Sequence, residues 1–273
     1  MNIRLVAGSI LVVLLSHYVP GQPMPAGVEQ TGPPTLVSPR TADAVKQNLM
    51  RRVSSAEAAV RQAEASHATN SVLSNAYVQL GLWYQNAAQW GRSEAALDHA
   101  VALLRNPVPG ADLAAALGQL ASLHVMMGKF RESEREDKEA LKIREDIGDS
   151  LLIARSRDDL AILYLAEQKF EKARDFARQA EAEFVRNGRA DVLDRSTARF
   201  TLAQALCDLK DCLSAISLLK AALDEAQAAL HPDDFPVGLS NFLLGYAYWK
   251  SGDMISAAAY MERGTQQISI QLG

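Results

Sequence analysis

The strongest constraint on this chain is a layout of small and large residues that occurs five times. In its first copy, Leu80 and Gly81 precede Tyr84 on one segment, and Leu97 and Ala100 follow on the next, at helical steps of three and four residues. The aligned small residues differ in residue number by 40, 40, 42 and 42; they are Gly81, Ala121, Ala161, Ala203 and Gly245. A fixed period of this length indicates an array of helix pairs, in which each unit buries its apolar face against its neighbours.

The small and the large residues of each copy have different packing roles. Gly81 and its counterparts are predicted where two helices cross closely, because a larger side chain would push the helices apart. Tyr84, Tyr164 and Tyr248 are predicted to fill the space beside the neighbouring helix. Since His124 takes the tyrosine position in the second copy, we expect it to be a core residue.

Helix-breaking residues separate the five copies. Two prolines follow the first copy, and Gly148 is followed by Asp149, which reads as a helix stop and a new cap. Apolar residues at steps of three and four predict a leading helix over about 42–66, which covers the open end of the array. The copies are expected near residues 74–104, 114–147, 154–187, 196–229 and 238–271.

The beginning of the chain predicts export to the periplasm or out of the cell. Arg4 is the only charged residue before Glu29, and an apolar run from Leu5 to Leu15 follows it, as in a secretory signal peptide. Cleavage is expected after Gly21 or Ala26. The alternative is an uncleaved membrane anchor, although the run is shorter than the about 20 residues that span a bilayer.

The predicted organisation has three parts. A signal peptide occupies residues 1–21, and a flexible proline-rich linker occupies residues 22–40. A helical repeat domain occupies residues 41–273. After signal cleavage, we expect no membrane insertion.

Charge and cysteine content narrow the classes of partner and site. The net charge of −4 gives no electrostatic reason to expect nucleic acid or an anionic membrane surface as a partner. The segment Lys129 to Asp149 is dense in charges of both signs, which predicts a solvated helix face, with a recognition patch as the alternative. Cys207 and Cys212 are expected either as two buried apolar side chains or as a disulfide.

The five copies resemble the tetratricopeptide repeat, whose pattern is W-x-x-L-G-x-x-Y followed by A-x-x-x-F-x-x-A. Tyr77 to Tyr84 reads Y-x-x-L-G-x-x-Y, and the period of 40–42 residues is similar to the longer repeats of kinesin light chains. The resemblance covers about 74–271, with a departure at Asp137, where the family has a large apolar residue. It implies an all-α fold, a right-handed superhelical solenoid of helix-turn-helix pairs.

The resemblance also implies a protein–protein interaction scaffold. Proteins of this family usually bind partners along the concave face formed by the first helix of each pair. The repeat register places on that face Leu82, Gln85, Asn86, Phe200, Gln204, Phe242, Tyr246 and Trp249, which we predict to bind a peptide or protein partner. It also places Asp158, Asp208 and Lys250 there.

The residue types on this face bear on how a partner could bind. The aromatic residues are expected either to anchor a partner or to pack under a neighbouring helix. Relatives that bind chaperone C-terminal carboxylates use a Lys/Asn/Arg clamp, whereas Val78 and Leu82 occupy the first clamp positions here. That binding mode is therefore not expected.

No motif predicts catalysis, a cofactor or a metal. The sequence has no His-x-x-x-His, no Gly-x-Ser-x-Gly and no glycine-rich phosphate loop. We therefore predict a protein that is not an enzyme and has no catalytic, cofactor-binding or metal-binding residues. The alternative function is a regulatory module that senses a peptide or small ligand through a change in the curvature of the solenoid.

The last helix of the array predicts a further contact. No polar capping helix follows the fifth copy, and terminal repeats normally need a polar outer face. We therefore expect self-association, or docking on another protein, through the C-terminal helix. The apolar residues at risk of exposure are Ile255, Ala258, Ala259, Ile268, Ile270 and Leu272.

Overall fold

The computed structural model describes residues 39–105, 110–187, 192–232 and 234–272, which form eleven helices and no strand. The helices are α1 Pro39–Ala65, α2 Asn70–Asn86, α3 Trp90–Leu104, α4 Ala111–Met126, α5 Phe130–Ile147, α6 Ser150–Ala166, α7 Phe170–Arg186, α8 Val192–Asp208, α9 Cys212–Ala229, α10 Phe235–Ser251 and α11 Met254–Leu272. The predicted all-α fold is confirmed. The predicted signal peptide lies outside the described residues, as does the predicted linker except for its last two residues.

The two helices of each pair are joined by the same tight turn. One residue in each turn has a left-handed φ between +54° and +92°, and the next N–H donates to the carbonyl five residues earlier, over 2.8–3.0 Å. This arrangement satisfies carbonyl groups at the helix end, as in a Schellman motif. The left-handed residues are Ala88, Gly128, Gln168, Lys210 and Gly252.

The small residues lie where the helices of a pair cross, as the repeat pattern predicts. A Cβ atom on Gly81 would lie 2.8 Å from Leu97 Cγ, and one on Gly245 would lie 2.7 Å from the backbone nitrogen of Met261. The Ser93 hydroxyl also donates to the Gly81 carbonyl over 2.8 Å. Neither glycine therefore leaves room for a side chain.

The chain divides into two compact units, with the boundary between Ile143 and Arg144 inside α5. In the first unit, Val53 and Val60 of the leading helix α1 form an apolar cluster with Leu80 and Tyr84 of α2. A second cluster joins α3, α4 and α5; its largest fully buried members are Leu97, Leu113, Leu117 and Leu123. The helix pairs of this unit thus share their apolar faces as a repeat array requires.

In the second unit, α8 contacts both α6 and α10, so that the first helices of the last three pairs are neighbours. We call α6, α8 and α10 the first-helix row. Phe184 of α7 is 1% exposed and packs with Ala154 of α6 and Ala198 of α8. The second helices thus supply much of the core behind this row.

The charge-dense segment is only partly a solvated face. Lys138 pairs with Glu134 on the helix surface, as expected for a spacing of four. Glu136, Asp137 and Arg144 are instead buried. The prediction of a solvated face is wrong for these three, because a charged side chain can be buried where other groups satisfy it.

His124 is a core residue, as predicted, and its imidazole pairs with the buried carboxylate of Glu136. Its Nδ1 lies 2.7 Å from Glu136 Oε2 and its Nε2 lies 3.0 Å from Glu94 Oε1. Lys129 Nζ donates to the same Glu94 oxygen over 2.5 Å. Although burial opposes the charge on the imidazole, the two carboxylates raise the pKa of His124.

Candidate functional site

Three of the residues predicted for partner binding lie on two adjacent helices of the second unit. Gln204 lies on α8, and Tyr246 and Trp249 lie on α10, the adjacent helix of the first-helix row. Asp208 is one helical turn after Gln204, and Lys250 directly follows Trp249, so both residues reach the same region. We call Gln204, Asp208, Tyr246, Trp249 and Lys250 the α8–α10 cluster.

An ammonium group lies at the centre of the α8–α10 cluster. Lys250 Nζ donates to Asp208 Oδ1 over 3.1 Å. It also lies 5.5 Å from the centroid of the Tyr246 ring and 5.7 Å from that of the Trp249 ring. The two ring centroids are 5.9 Å apart, with the ring planes inclined by 46°. A carboxylate and two aromatic faces therefore surround one cation.

The α8–α10 cluster also contains buried polar atoms with unused hydrogen-bonding capacity. Gln204 Nε2 and Asp208 Oδ2 make no hydrogen bond within the described part of the chain, and the Tyr246 hydroxyl lies beside the Asp208 carboxylate without a hydrogen bond of good geometry. A buried polar group without a partner costs about 1–3 kcal/mol, so this set is unusual for a surface that serves packing alone. Burial and the nearby Asp208 carboxylate raise the pKa of Tyr246, which keeps its hydroxyl protonated as a donor.

The aromatic residues predicted for this face divide into two groups. Phe200 is 3% exposed and packs inside the fold. Of the two expectations for the aromatic residues, packing under a neighbouring helix therefore applies to Phe200. Phe242, Tyr246 and Trp249 are half-buried. A role for these three in anchoring a partner stays a prediction.

The remaining three predicted residues lie in the first unit. Leu82 and Gln85 of α2 are buried, and Gln85 Nε2 lies 3.0 Å from Met126 Sδ of α4. Asn86 is exposed at the end of α2. Their part in binding also stays a prediction.

The two cysteines adjoin the α8–α10 cluster as free, buried thiols. Cys207 precedes Asp208 on α8, and Cys212 Sγ lies 3.8 Å from the Cys207 carbonyl oxygen. Burial and the neighbouring Cys212 raise the pKa of the Cys207 thiol, so this group is a poor nucleophile. Of the two expectations for the cysteines, the structure therefore has two buried apolar side chains and not a disulfide.

Asp158 extends the polar character of the first-helix row to α6. It is 7% exposed, and its Oδ1 makes no hydrogen bond to any residue that the structure describes. Burial raises the pKa of Asp158 to about 7, and the negative charge of Asp159 adds to the shift. The carboxyl group is therefore partly protonated at neutral pH.

This shift predicts a pH-dependent stability that depends on Asp158. Because the folded-state pKa of about 7 lies above the unfolded value of about 3.9, the stabilising contribution is complete below about pH 4 and is lost as the pH rises through about 7. We expect the difference in free energy of unfolding between the natural protein and Asp158→Asn to fall over this range. Urea unfolding at a series of pH values measures it. Asp224→Asn, on the exposed face of α9, is the control, and an equal pH dependence in both variants would contradict the assignment.

Neither a metal centre nor a membrane span is found within the described ranges. No three His, Cys, Asp or Glu side chains converge there in a group that could hold a metal ion. Among the same residues, no helix combines the length and the apolar composition needed to cross a bilayer.

Comparison with known proteins confirms the tetratricopeptide resemblance. Residues 112–182 match the family model for the tetratricopeptide repeat. No curated protein sequence is significantly similar to the chain. The sequence match thus covers the second copy and most of the third, and solved structures extend the likeness.

The solved structures that share the fold include the following three. BtubC (BKLC) from P. vanneervenii is 22% identical, with a TM-score of 0.67, and the alignment covers 82% of this chain and 92% of that one. A Podosopora anserina structure of TPR-like repeats of the kinesin light chain type is 19% identical, with a TM-score of 0.61, and the alignment covers 74% of this chain and 97% of that one. A Rap protein complexed with competence and sporulation factor is 16% identical, with a TM-score of 0.61 and coverages of 72% and 53%. At these identities the likeness shows the fold alone.

Proposed function

Because this chain is a TPR-like repeat protein in fold and in repeat pattern, we propose that it is an interaction scaffold that binds a peptide, or an extended segment of a protein, along its first-helix row. The α8–α10 cluster is the site of closest contact. Trp249, Tyr246 and Phe242 supply partly exposed aromatic surface, and Gln204 and Asp208 supply polar atoms that the fold leaves without partners.

The observation that carries this proposal is the set of three buried polar atoms with no hydrogen bond of good geometry inside the described residues, beside half-buried aromatic rings. A peptide backbone presents N–H and C=O groups that can pair with such atoms. Aromatic residues at the centre of an interface contribute much of the binding free energy. A partner segment would thus cover the rings, and it would pair with the polar groups once the side chains that bury them move aside.

The fold comparison supports a binding role. A Rap protein that shares the fold is known in complex with competence and sporulation factor. Within the α8–α10 cluster we find no activated nucleophile beside a general base, since the nearby Cys207 thiol has a raised pKa. A scaffold without chemistry of its own is therefore the function that we propose.

The proposal includes export and self-association through the C-terminal helix α11. The positive start and the apolar run in residues 1–15 support a secretory signal, with an uncleaved anchor as the alternative. The first two turns of α11 support self-association, because Ile255 is 87% exposed and Ala258 and Ala259 are exposed beside it. A ligand-sensing regulator is the alternative function, and it would use the same cluster.

Selection from a library of random peptides tests the binding role. We expect the selected peptides to bind the natural protein and to lose at least about tenfold in affinity, or 1.4 kcal/mol, with Trp249→Ala, because the half-buried indole is removed. Fluorescence anisotropy of labelled peptides measures the affinity. Trp90→Ala is the control, because it removes another partly exposed indole, from the first unit. It should change the peptide affinity less than about twofold. Equal affinity for natural protein and folded Trp249→Ala would contradict the proposal.

A further inference from the structure

The α8–α10 cluster holds its cation in an arrangement that proteins use to recognise cationic ligands. Lys250 Nζ lies within 6 Å of two aromatic centroids and 3.1 Å from a carboxylate oxygen. Attraction between a cation and an aromatic face is significant at such distances and increases when the group is removed from water. The side chain of Asp208 is 6% exposed, so its charge is poorly screened by solvent.

Lys250 does not fully use this site. Its ammonium bonds Asp208 Oδ1, while Asp208 Oδ2 is buried and has no hydrogen-bond partner among the described residues. A lysine ammonium acts as a compact point charge, whereas the planar guanidinium of arginine can donate to both oxygens of one carboxylate and stack on an aromatic ring. An arginine would therefore satisfy the group that Lys250 leaves unsatisfied.

Lys250 is also able to leave the site. Its side chain is 26% exposed, and it lies one residue from the end of α10, next to Ser251 and Gly252. A lysine side chain has a flexible four-carbon stem, so its ammonium can move into water when a stronger cation arrives. The remaining site then has one negative charge and two aromatic walls.

We propose that Asp208, Tyr246 and Trp249 form a subsite for an arginine side chain of the partner, and that Lys250 is an internal competitor that the arginine displaces. This inference rests on the proposed function, since it names the chemistry of the segment that binds there. It makes the affinity of the partner dependent on one guanidinium group. It also makes Lys250 a residue whose removal strengthens binding.

N-acetylarginine amide tests the subsite without knowledge of the partner. Trp249 fluorescence is followed in a variant that carries Trp83→Phe and Trp90→Phe, which leaves one indole in the chain. We expect saturation with an affinity near millimolar for such a small ligand, and none with N-acetylcitrulline amide, which has the same shape without the charge. Lys250→Met should strengthen arginine binding by about tenfold because the competitor is absent, and Asp208→Asn should abolish it.

Lys220→Met is the matched control. Lys220 Nζ lies 5.7 Å from the Tyr248 ring centroid in the same unit, outside the α8–α10 cluster, so its loss should leave arginine binding unchanged. Equal binding of citrulline and arginine would overturn the inference. Weaker binding of N-acetylarginine amide to Lys250→Met than to the natural protein would also overturn it. A third contrary result would be that N-acetylglutamate amide binds the natural protein but not Lys250→Met, because Lys250 would then hold the ligand itself.

The library peptides separate the two proposals. If selected peptides depend on Trp249 but tolerate citrulline in place of every arginine, the arginine subsite fails and the proposed function stands. If N-acetylarginine amide saturates the protein but no peptide depends on Trp249, the subsite stands and the proposed function fails.

Discussion

Tyr84→Ala is expected to lower the free energy of unfolding by about 3–5 kcal/mol, the usual cost of removing a buried aromatic side chain. Tyr84 is 9% exposed and packs against Val53 and Val60 of the leading helix α1. Its hydroxyl donates to Glu57 Oε1 over 2.7 Å, which adds a polar contact between α1 and α2. The substitution thus removes an apolar and a polar contact between the leading helix and the first helix pair.

Urea unfolding measures this effect, and Tyr84→Phe separates its two parts. The phenylalanine variant keeps the ring and loses the hydrogen bond to Glu57, so we expect it to cost about 1 kcal/mol. An unfolding midpoint of Tyr84→Ala equal to that of the natural protein would show that α1 does not stabilise the array through this position. An equal loss in both variants would show that the hydroxyl, and not the ring, carries the contact.

The repeat pattern alone predicts the helices, their pairing and their turns. Small residues at Gly81 and Gly245 specify close crossings, and the structure leaves no room for a Cβ atom at either. The turns are less obvious, because Ala88, Gln168 and Lys210 adopt a left-handed φ that usually favours glycine. Their position in the register, and not their residue type, predicts the turn.

Burial of individual charges could not be predicted from the sequence. Glu136 lies in a segment whose alternating charges are typical of a solvated face, yet its carboxylate bonds His124 on another helix. Periodicity describes one helix at a time, whereas this contact depends on how α4 and α5 meet. The same limit applies to Phe200, whose place on the predicted binding face did not reveal that it is buried.

The ion pair in the α8–α10 cluster can be predicted from the repeat register. Asp208 and Lys250 are 42 residues apart, which is one repeat period, and so they occupy the same position in successive copies. Opposite charges at equivalent positions of adjacent helices are expected to meet. The unused Asp208 Oδ2 was not predictable, because it depends on the positions of individual atoms.

Gly264→Ala is expected to destabilise the protein by about 3 kcal/mol, although alanine is the better helix former by about 1 kcal/mol. The equivalent residue of the first four copies is a buried alanine; these are Ala100, Ala140, Ala180 and Ala222. In the fifth copy α10 and α11 approach more closely. A Cβ atom on Gly264 would contact the backbone nitrogen of Phe242 and lie 2.7 Å from the Gly238 carbonyl oxygen.

Backbone atoms cannot move aside as a side chain can, so the clash at Gly264 requires α11 to shift as a whole. Gly91→Ala is the control, because Gly91 also lies in a helix, α3, and has no atom within 4 Å of the added Cβ. We expect Gly91→Ala to be neutral or stabilising by up to about 1 kcal/mol in urea unfolding. A gain of stability in both variants would contradict this prediction. It would mean that α10 and α11 leave room for a Cβ atom between Gly264 and the backbone of Gly238 and Phe242.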